Sequence, residues 1–313
     1  MIKRRIIIYG SLTLFLTLVY LTVYGEKNEI EPDAIAFNFP LAQADESNIP
    51  VCNTRGLSLN ARSVLIVDNK SGAWIYSKNP MKVRSVASLT KFLTAMVYLD
   101  TKPDLDSVVY ISGRDCYNSA KSHIYKGEAY AARDLLYAAL MASDNRAARA
   151  IATSSGIPRL KFIKKMNEKA REIGMRDTEI FEVTGLDERN VSNSADMAIL
   201  IQKSLDYPEI MEATSRYTYR CKLKNKNRYK NFINTNRLIR SRWEVLAGKT
   251  GFIFESDYCL ATVLKDKRGG EITVVVLGSP TNNIRFDVAR KLAFFGFKRA
   301  GRYDNGSQQI AGR

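Results

Sequence analysis

Apolar and polar positions change their period several times along this 313-residue chain, and each change marks an element. Residues 6–24 form an apolar run broken only by Gly10 and a few Ser and Thr, with Lys3, Arg4 and Arg5 directly before it. Residues 26–58 are polar, hold Pro32, Pro40 and Pro50 and show no period, so they read as a linker. Two short β-rich runs, 63–68 and 73–77, then flank Asn69-Lys70-Ser71-Gly72, the pattern of a hairpin. The apolar stretch 92–99 predicts a buried helix led by Ser85-Val86-Ala87-Ser88-Leu89-Thr90-Lys91.

Further helices are expected over 131–141 and 146–153, with Ser143-Asp144-Asn145 between them. Ile163, Met166, Ala170 and Ile173 recur at helical spacing until Gly174 stops the pattern. Another helix is expected over 194–204, capped by Ser192. After a basic stretch, 216–242, the pattern turns to strands at 243–246, 258–264 and 272–277. Lys267-Arg268-Gly269-Gly270 turns between the last two, and Ile284, Val288, Leu292 and Phe295 mark a closing helix. Strands at both ends with helices between predict an α+β fold. Its antiparallel sheet is built from N- and C-terminal strands, flanked by helices, with a helical insertion. The expected organisation is a signal peptide or membrane anchor (1–25), a linker (26–58), one folded domain (59–299) and a polar tail (300–313).

Charge changes this picture. The net charge of +16 favours anionic partners, whether nucleic acid, acidic lipid or acidic polymer. Basic residues before a long apolar run read as an export signal, placing the folded part outside the cytoplasm. That reading argues against nucleic acid and for a cell-envelope or membrane surface as the anionic partner of 216–242, or for a solvated hairpin with no partner. Cys52, Cys116, Cys221 and Cys259 lack Cys-x-x-Cys spacing, so no metal site is expected; they form up to two disulfides or remain buried thiols. His123 is the only histidine, which limits any Ser-His-Asp triad to one base.

Ser88 and Lys91 stand three apart, so on a helix they share a face. A serine hydroxyl needs an adjacent base to become a nucleophile. Lysine can be that base once burial pulls its pKa down from about 10.4. Lys249-Thr250-Gly251, expected on an edge strand, offers an ammonium, a hydroxyl and an open backbone to a substrate carboxylate. Ser143-Asp144-Asn145 lies on a loop from which side chains can project into a cleft. Lys70-Ser71-Gly72, Ser58-Leu59-Asn60 and Ser77-Lys78-Asn79 fit looser forms of these motifs, but turn chemistry explains them.

Ser-x-x-Lys, Ser-Asp-Asn and Lys-Thr-Gly in this order are the signature of penicillin-binding proteins and class A β-lactamases. Ala87 to Lys91, Lys169 to Met175, Thr184-Gly185-Leu186, Asn234-Thr235-Asn236 and Gly248 to Gly251 extend the likeness over residues 61–297. The chain resembles the low-molecular-weight penicillin-binding proteins, the D-alanyl-D-alanine peptidases, and most of all the small endopeptidase type represented by penicillin-binding protein 7. The resemblance implies a penicillin-binding protein/β-lactamase-like fold, no cofactor, peptidoglycan stem peptides as substrate and β-lactams as covalent inhibitors.

It also implies roles. Ser88 is the nucleophile, Lys91 takes its proton, and Ser143 relays a proton to the leaving amine. Asn145 binds the substrate amide, Lys249 steers the substrate and lowers the Lys91 pKa, and Thr250, with Gly251 beside it, faces the carboxylate. The N–H groups of Ser88 and Phe252 form the oxyanion hole. His123 reads as a rim residue, since Lys91 already fills the base role. The alternatives are a carboxypeptidase, a β-lactamase and a non-catalytic wall-binding protein. A β-lactamase would need a glutamate to activate water, and Glu179, Glu182 and Glu188 lack that family's Glu-x-x-x-Asn setting.

Overall fold

In the computed structural model, residues 59–117, 119 and 122–300 are described. The expected signal or anchor, the linker, Cys52 and the polar tail beyond 300 lie outside them. No helix among the described residues is long and apolar enough to cross a membrane.

The expected hairpin is β1 (Ser63–Asp68) and β2 (Trp74–Lys78). A two-residue β3 (Arg84–Ser85) leads into a 3-10 turn, Ala87–Thr90, and then α1 (Lys91–Asp100). Beyond it come β4 (Val108–Tyr110), β5 (Ala129–Ala131), α2 (Ala132–Met141), α3 (Asn145–Ser154) and α4 (Arg159–Glu172). A short β6 (Val191–Ser192) precedes α5 (Ser194–Lys203) and α6 (Pro208–Ser215). The basic stretch folds as a ribbon, β7 (Thr218–Lys222) and β8 (Tyr229–Ile233). The chain closes with β9 (Glu244–Ile253), β10 (Asp257–Lys265), β11 (Glu271–Ser279) and α7 (Asn282–Phe297).

The main sheet is antiparallel in the order β2-β1-β11-β10-β9. Its inner strands β1, β11 and β10 carry long apolar runs because both faces are covered. Leu65, Val67, Val275, Leu277 and Val263 enter the large core under the helical layer. Their neighbours Val64, Ile66, Val274 and Val276 enter a second core beneath α7, with Phe286 and Leu292. Successive side chains leave a strand on opposite faces, so two cores divide one apolar run between them. In α1, every residue from Lys91 to Tyr98 is buried, as expected for a helix that is apolar nearly all round.

One cap differs from expectation. Asn193, not Ser192, caps α5, its Oδ1 accepting from the Asp196 N–H at 2.8 Å, while the Ser192 hydroxyl is 2.7 Å from that of Thr178. Cys116, Cys221 and Cys259 are free thiols, and Cys259 is fully buried in the core.

The basic ribbon is anchored to the 123–130 segment by buried charge. Lys230 Nζ lies 2.9 Å from Glu128 Oε1 and 2.5 Å from the His123 carbonyl. Glu128 Oε2 also accepts from the Tyr130 hydroxyl at 2.6 Å and the Tyr125 N–H at 2.9 Å. Burial opposes the Glu128 charge, but Tyr130, Lys230 and the Tyr125 N–H outweigh it and hold the pKa below the usual value. Glu128→Ala should therefore destabilise the protein by about 3–5 kcal/mol, because it leaves the Lys230 ammonium buried without its carboxylate. Urea unfolding measures this; a loss within about 0.5 kcal/mol would mean that the pair contributes nothing.

Candidate active site

The tight turn that carries Ser88 is set by local backbone. Ala87 has φ of 48° and Thr90 Oγ1 donates to the Ala87 carbonyl at 2.8 Å, so residues 87–90 close a 3-10 turn. Lys91 is the first residue of α1. Ser88 and Lys91 thus share a face across a 3-10 turn and a helix start rather than within one α-helix. Lys91 Nζ lies 2.8 Å from Ser88 Oγ, 2.7 Å from Asn145 Oδ1 and 2.6 Å from the Thr184 carbonyl.

Asn145 reaches this point because Asp144 caps α3, accepting from the N–H groups of Arg146 (2.9 Å) and Ala147 (3.1 Å). The cap makes Asn145 the first residue of the helix. Ser143 precedes it with φ of 59°, and among the described residues its side chain makes no hydrogen bond to Ser88, Lys91 or Lys249.

Lys249, Thr250 and Gly251 lie on β9, the edge strand of the sheet, near its C-terminal end. The Lys249 ammonium donates to the Thr250 carbonyl at 2.8 Å, and Thr250 Oγ1 is 2.6 Å from Thr235 Oγ1. Thr235 N–H also bonds the Met141 carbonyl at 3.0 Å, so Asn234-Thr235-Asn236 ties the end of α2 to β9. Gly251 is needed for close approach: a Cβ there would stand 2.9 Å from the Val86 carbonyl oxygen and 3.2 Å from Ser88 N. Phe252 is exposed beside this point and stacks on Tyr258.

Burial pulls the Lys91 pKa down to about 7. The carboxylates of Glu182 and Asp144 oppose that fall, and Arg149 adds to it. Lys249 is pushed well below its ordinary value by burial, then by the Lys91 and Arg285 charges. At Lys91 burial is the largest cause of the lowering, as expected for a lysine on a helix packed in the core, and the cation that adds to it is Arg149 rather than Lys249.

Three groups whose part in the site the sequence did not reveal complete the surroundings. The Thr184 carbonyl accepts from Lys91, and a backbone oxygen leaves no side-chain signal. Glu182 holds the loop that presents it, accepting from Thr184 N and Oγ1 (2.8 and 2.7 Å), Leu186 N (2.8 Å) and Gly185 N. Arg285, buried on α7, donates to the carbonyls of Gly251 (3.0 Å) and Cys259 (2.9 Å) behind the motif. Its position in the apolar stripe with Val288 and Leu292 was the available signal. His123 is exposed, and its carbonyl is occupied by Lys230. Among the described residues no cluster of His, Cys, Asp and Glu could hold a metal.

A hydroxyl in contact with a buried amine, backed by an antiparallel sheet, defines a serine–lysine acyl-transfer enzyme. Residues 50–281 match the peptidase S11 family, D-alanyl-D-alanine carboxypeptidase, and the chain belongs to that family. It is 34% identical over 240 residues to the D-alanyl-D-alanine endopeptidase of Pseudomonas aeruginosa, covering 76% of this chain and 74% of that one. It is 35% identical over 225 residues to the D-alanyl-D-alanine endopeptidase of Escherichia coli, covering 70% and 73%. Among solved structures, the Streptomyces K15 DD-transpeptidase superposes with a TM-score of 0.73 at 26% identity, covering 77% of this chain and 98% of that one. Penicillin-binding protein D2 of Listeria monocytogenes, bound to ampicillin, gives 0.68 at 28% identity, with the same coverages of 77% and 98%.

Proposed function

We propose that the protein is a D-alanyl-D-alanine endopeptidase that cuts peptide cross-links of peptidoglycan through an acyl-enzyme on Ser88. The carrying observation is the 2.8 Å contact between Ser88 Oγ and a Lys91 amine held at about 7. A neutral Lys91 takes the hydroxyl proton as Ser88 attacks the carbonyl of the penultimate D-alanine. The N–H groups of Ser88 and Phe252 receive the oxyanion. Ser143 relays the proton held by Lys91 to the departing amine, the C–N bond breaks and Lys91 is neutral again. Asn145 positions the substrate amide, while Lys249 and Thr250, beside Gly251, draw in its carboxylate side. Water then attacks the ester, Lys91 again accepting the proton, and releases a stem peptide ending in a carboxylate.

Endopeptidase is preferred to carboxypeptidase because relatives at 34% and 35% identity carry the endopeptidase name, against 31% for the Bacillus subtilis carboxypeptidase DacF. Glu182 is fully engaged by its own loop, which opposes a water-activating role and fast β-lactam turnover. The test is incubation with purified cross-linked muropeptide dimers beside pentapeptide monomers, followed by mass spectrometry. Monomers from dimers, with slower loss of D-alanine from pentapeptide, are expected. Pentapeptide trimming without dimer cleavage would sink the endopeptidase assignment, and rapid hydrolysis of penicillin would point to a β-lactamase.

Such a substrate lies outside the cytoplasm, in keeping with export directed by Lys3, Arg4, Arg5 and the apolar run behind them. Arg220, Lys222, Lys224, Lys226 and Arg228 are exposed on the β7–β8 ribbon and suit attraction to an anionic membrane or wall surface. Sedimentation with anionic vesicles should weaken as salt rises; salt-independent or absent binding would exclude the membrane.

A further inference from the structure

A cavity of about 940 Å³ opens beside the loop that presents the Thr184 carbonyl, and none of Ser88, Lys91, Ser143, Asn145 or Lys249 lines it. Its walls come from the 113–117 segment, the end of α3, the start of α4 and residues 182–187. This is near the upper end of the size range for small-ligand sites.

Its charges are unevenly matched. Each lining carboxylate is satisfied by its own neighbours. Asp115 accepts from Ser112 N (2.8 Å), Ser112 Oγ (2.6 Å) and Thr153 Oγ1 (3.2 Å). Asp187 is forked onto Arg189 at 2.9 and 2.6 Å, and Glu182 takes the four donors of the catalytic loop. The three lining guanidinium groups, Arg114, Arg149 and Arg159, make no ion pair within 4 Å among the described residues; the charges of Glu182 and Asp115 act on Arg149 without a direct contact. Arg149 is half-buried and donates only to backbone, to the carbonyls of Asp115 (3.4 Å) and Tyr117. Between these cations, Ile157, Phe162 and Val183 supply an apolar wall.

Guanidinium forks match planar carboxylates in two-point contacts. The apolar wall calls for a body with aliphatic groups rather than a bare inorganic anion. We propose that this cavity is a second binding site, for an acidic stem peptide with a free C-terminal carboxylate, held by Arg114, Arg149 and Arg159. The inference rests on the endopeptidase reading, because hydrolysis of the acyl-enzyme generates such a carboxylate.

Occupancy reaches the reaction through two shared groups. Glu182 and Val183 line the cavity and belong to the loop against Lys91, and the Arg149 charge helps to keep Lys91 neutral. A bound carboxylate offsets that charge, so more Lys91 carries a proton near pH 7 and acylation slows. The device is inhibition by accumulated product at a site separate from the cleft.

The test uses the full chain with Ser88 first blocked by penicillin, so that the cleft is closed to peptide. A synthetic acidic tetrapeptide ending in D-alanine carboxylate is then titrated by calorimetry, with its C-terminal amide as control. Saturable binding is expected to survive the block and to weaken about tenfold in Arg114→Gln/Arg159→Gln, both exposed positions. The unblocked double variant should label with penicillin at the wild-type rate but escape slowing by the tetrapeptide. Loss of all binding on blocking Ser88, equal binding by acid and amide, or wild-type binding by the double variant would overturn the proposal. Dimer cleavage assayed without tetrapeptide reports separately on the endopeptidase reading.

Discussion

Ser88→Ala should abolish labelling by penicillin, because the acyl bond then has no oxygen to form on, and Lys91→Ala should reduce it about 10⁴-fold or more. The reason is that hydroxyl and amine act as one unit. Without Lys91 the hydroxyl has no partner to take its proton, and without Ser88 the amine activates nothing. The 2.8 Å contact between them is made inside a buried pocket that Asn145 Oδ1 and the Thr184 carbonyl complete. The same pair sets the pH dependence. In the proposed mechanism the active form of Lys91 is the neutral amine, and its pKa stands at about 7. Acylation should rise about tenfold per pH unit below 7 and level off above it. Stopped labelling with fluorescent penicillin across pH 5–9 measures the profile. A rate still climbing past pH 9 would show that Lys91 keeps an ordinary lysine pKa, and labelling that persists in Ser88→Ala would place the nucleophile elsewhere.

The second large effect is expected from Gly185→Ala. Gly185 has φ of 82°, and an added Cβ would stand 2.0 Å from the Ala87 carbonyl oxygen and 2.8 Å from Ser88 N. Both obstacles are backbone, so no side chain can swing aside. Either the 182–187 loop or the turn bearing Ser88 must move, and a displacement of about 1 Å at a reacting group costs about 10²-fold. The variant should lose about 3 kcal/mol or more in urea unfolding, with at least 10²-fold in labelling rate. Gly156→Ala is the control. Its φ is 72° but nothing lies within 4 Å of the added Cβ, so only the conformational cost of about 1–2 kcal/mol applies, with labelling unchanged. Equal behaviour of the two variants would mean that the close approach at Ala87 is not a constraint.

Much of the frame was legible because burial on both faces leaves long apolar runs. The strands near 63, 258 and 272 and the helices near 92, 132 and 194 appeared where the period of the pattern changes. The three motifs were legible as an ordered set, and the fold brings Ser88, Lys91 and Asn145 into hydrogen-bond contact. What stayed hidden has physical causes. A carbonyl such as that of Thr184 belongs to every residue type. The 3-10 form of residues 87–90 depends on the positive φ of Ala87, which alanine rarely adopts and no pattern announces. Asn193 and Ser192 are equally good cap residues, and only the direction of the incoming strand decides between them. The cavity beside the 182–187 loop joins three stretches distant in sequence, 113–117, 149–162 and 182–187, and no local pattern can register it.

The central pairing of β1 with β11 joins Ser63 to Leu277, across most of the folded part. Residues so far apart must close a long loop before they gain any pairing energy, which slows folding. The turn bearing Ser88 is therefore synthesised early but stays without its sheet until β11 has emerged. An incomplete chain has no assembled nucleophile and Lys-Thr-Gly strand to acylate. For a hydrolase this order of events doubles as a safeguard: a chain still being completed is unable to cut.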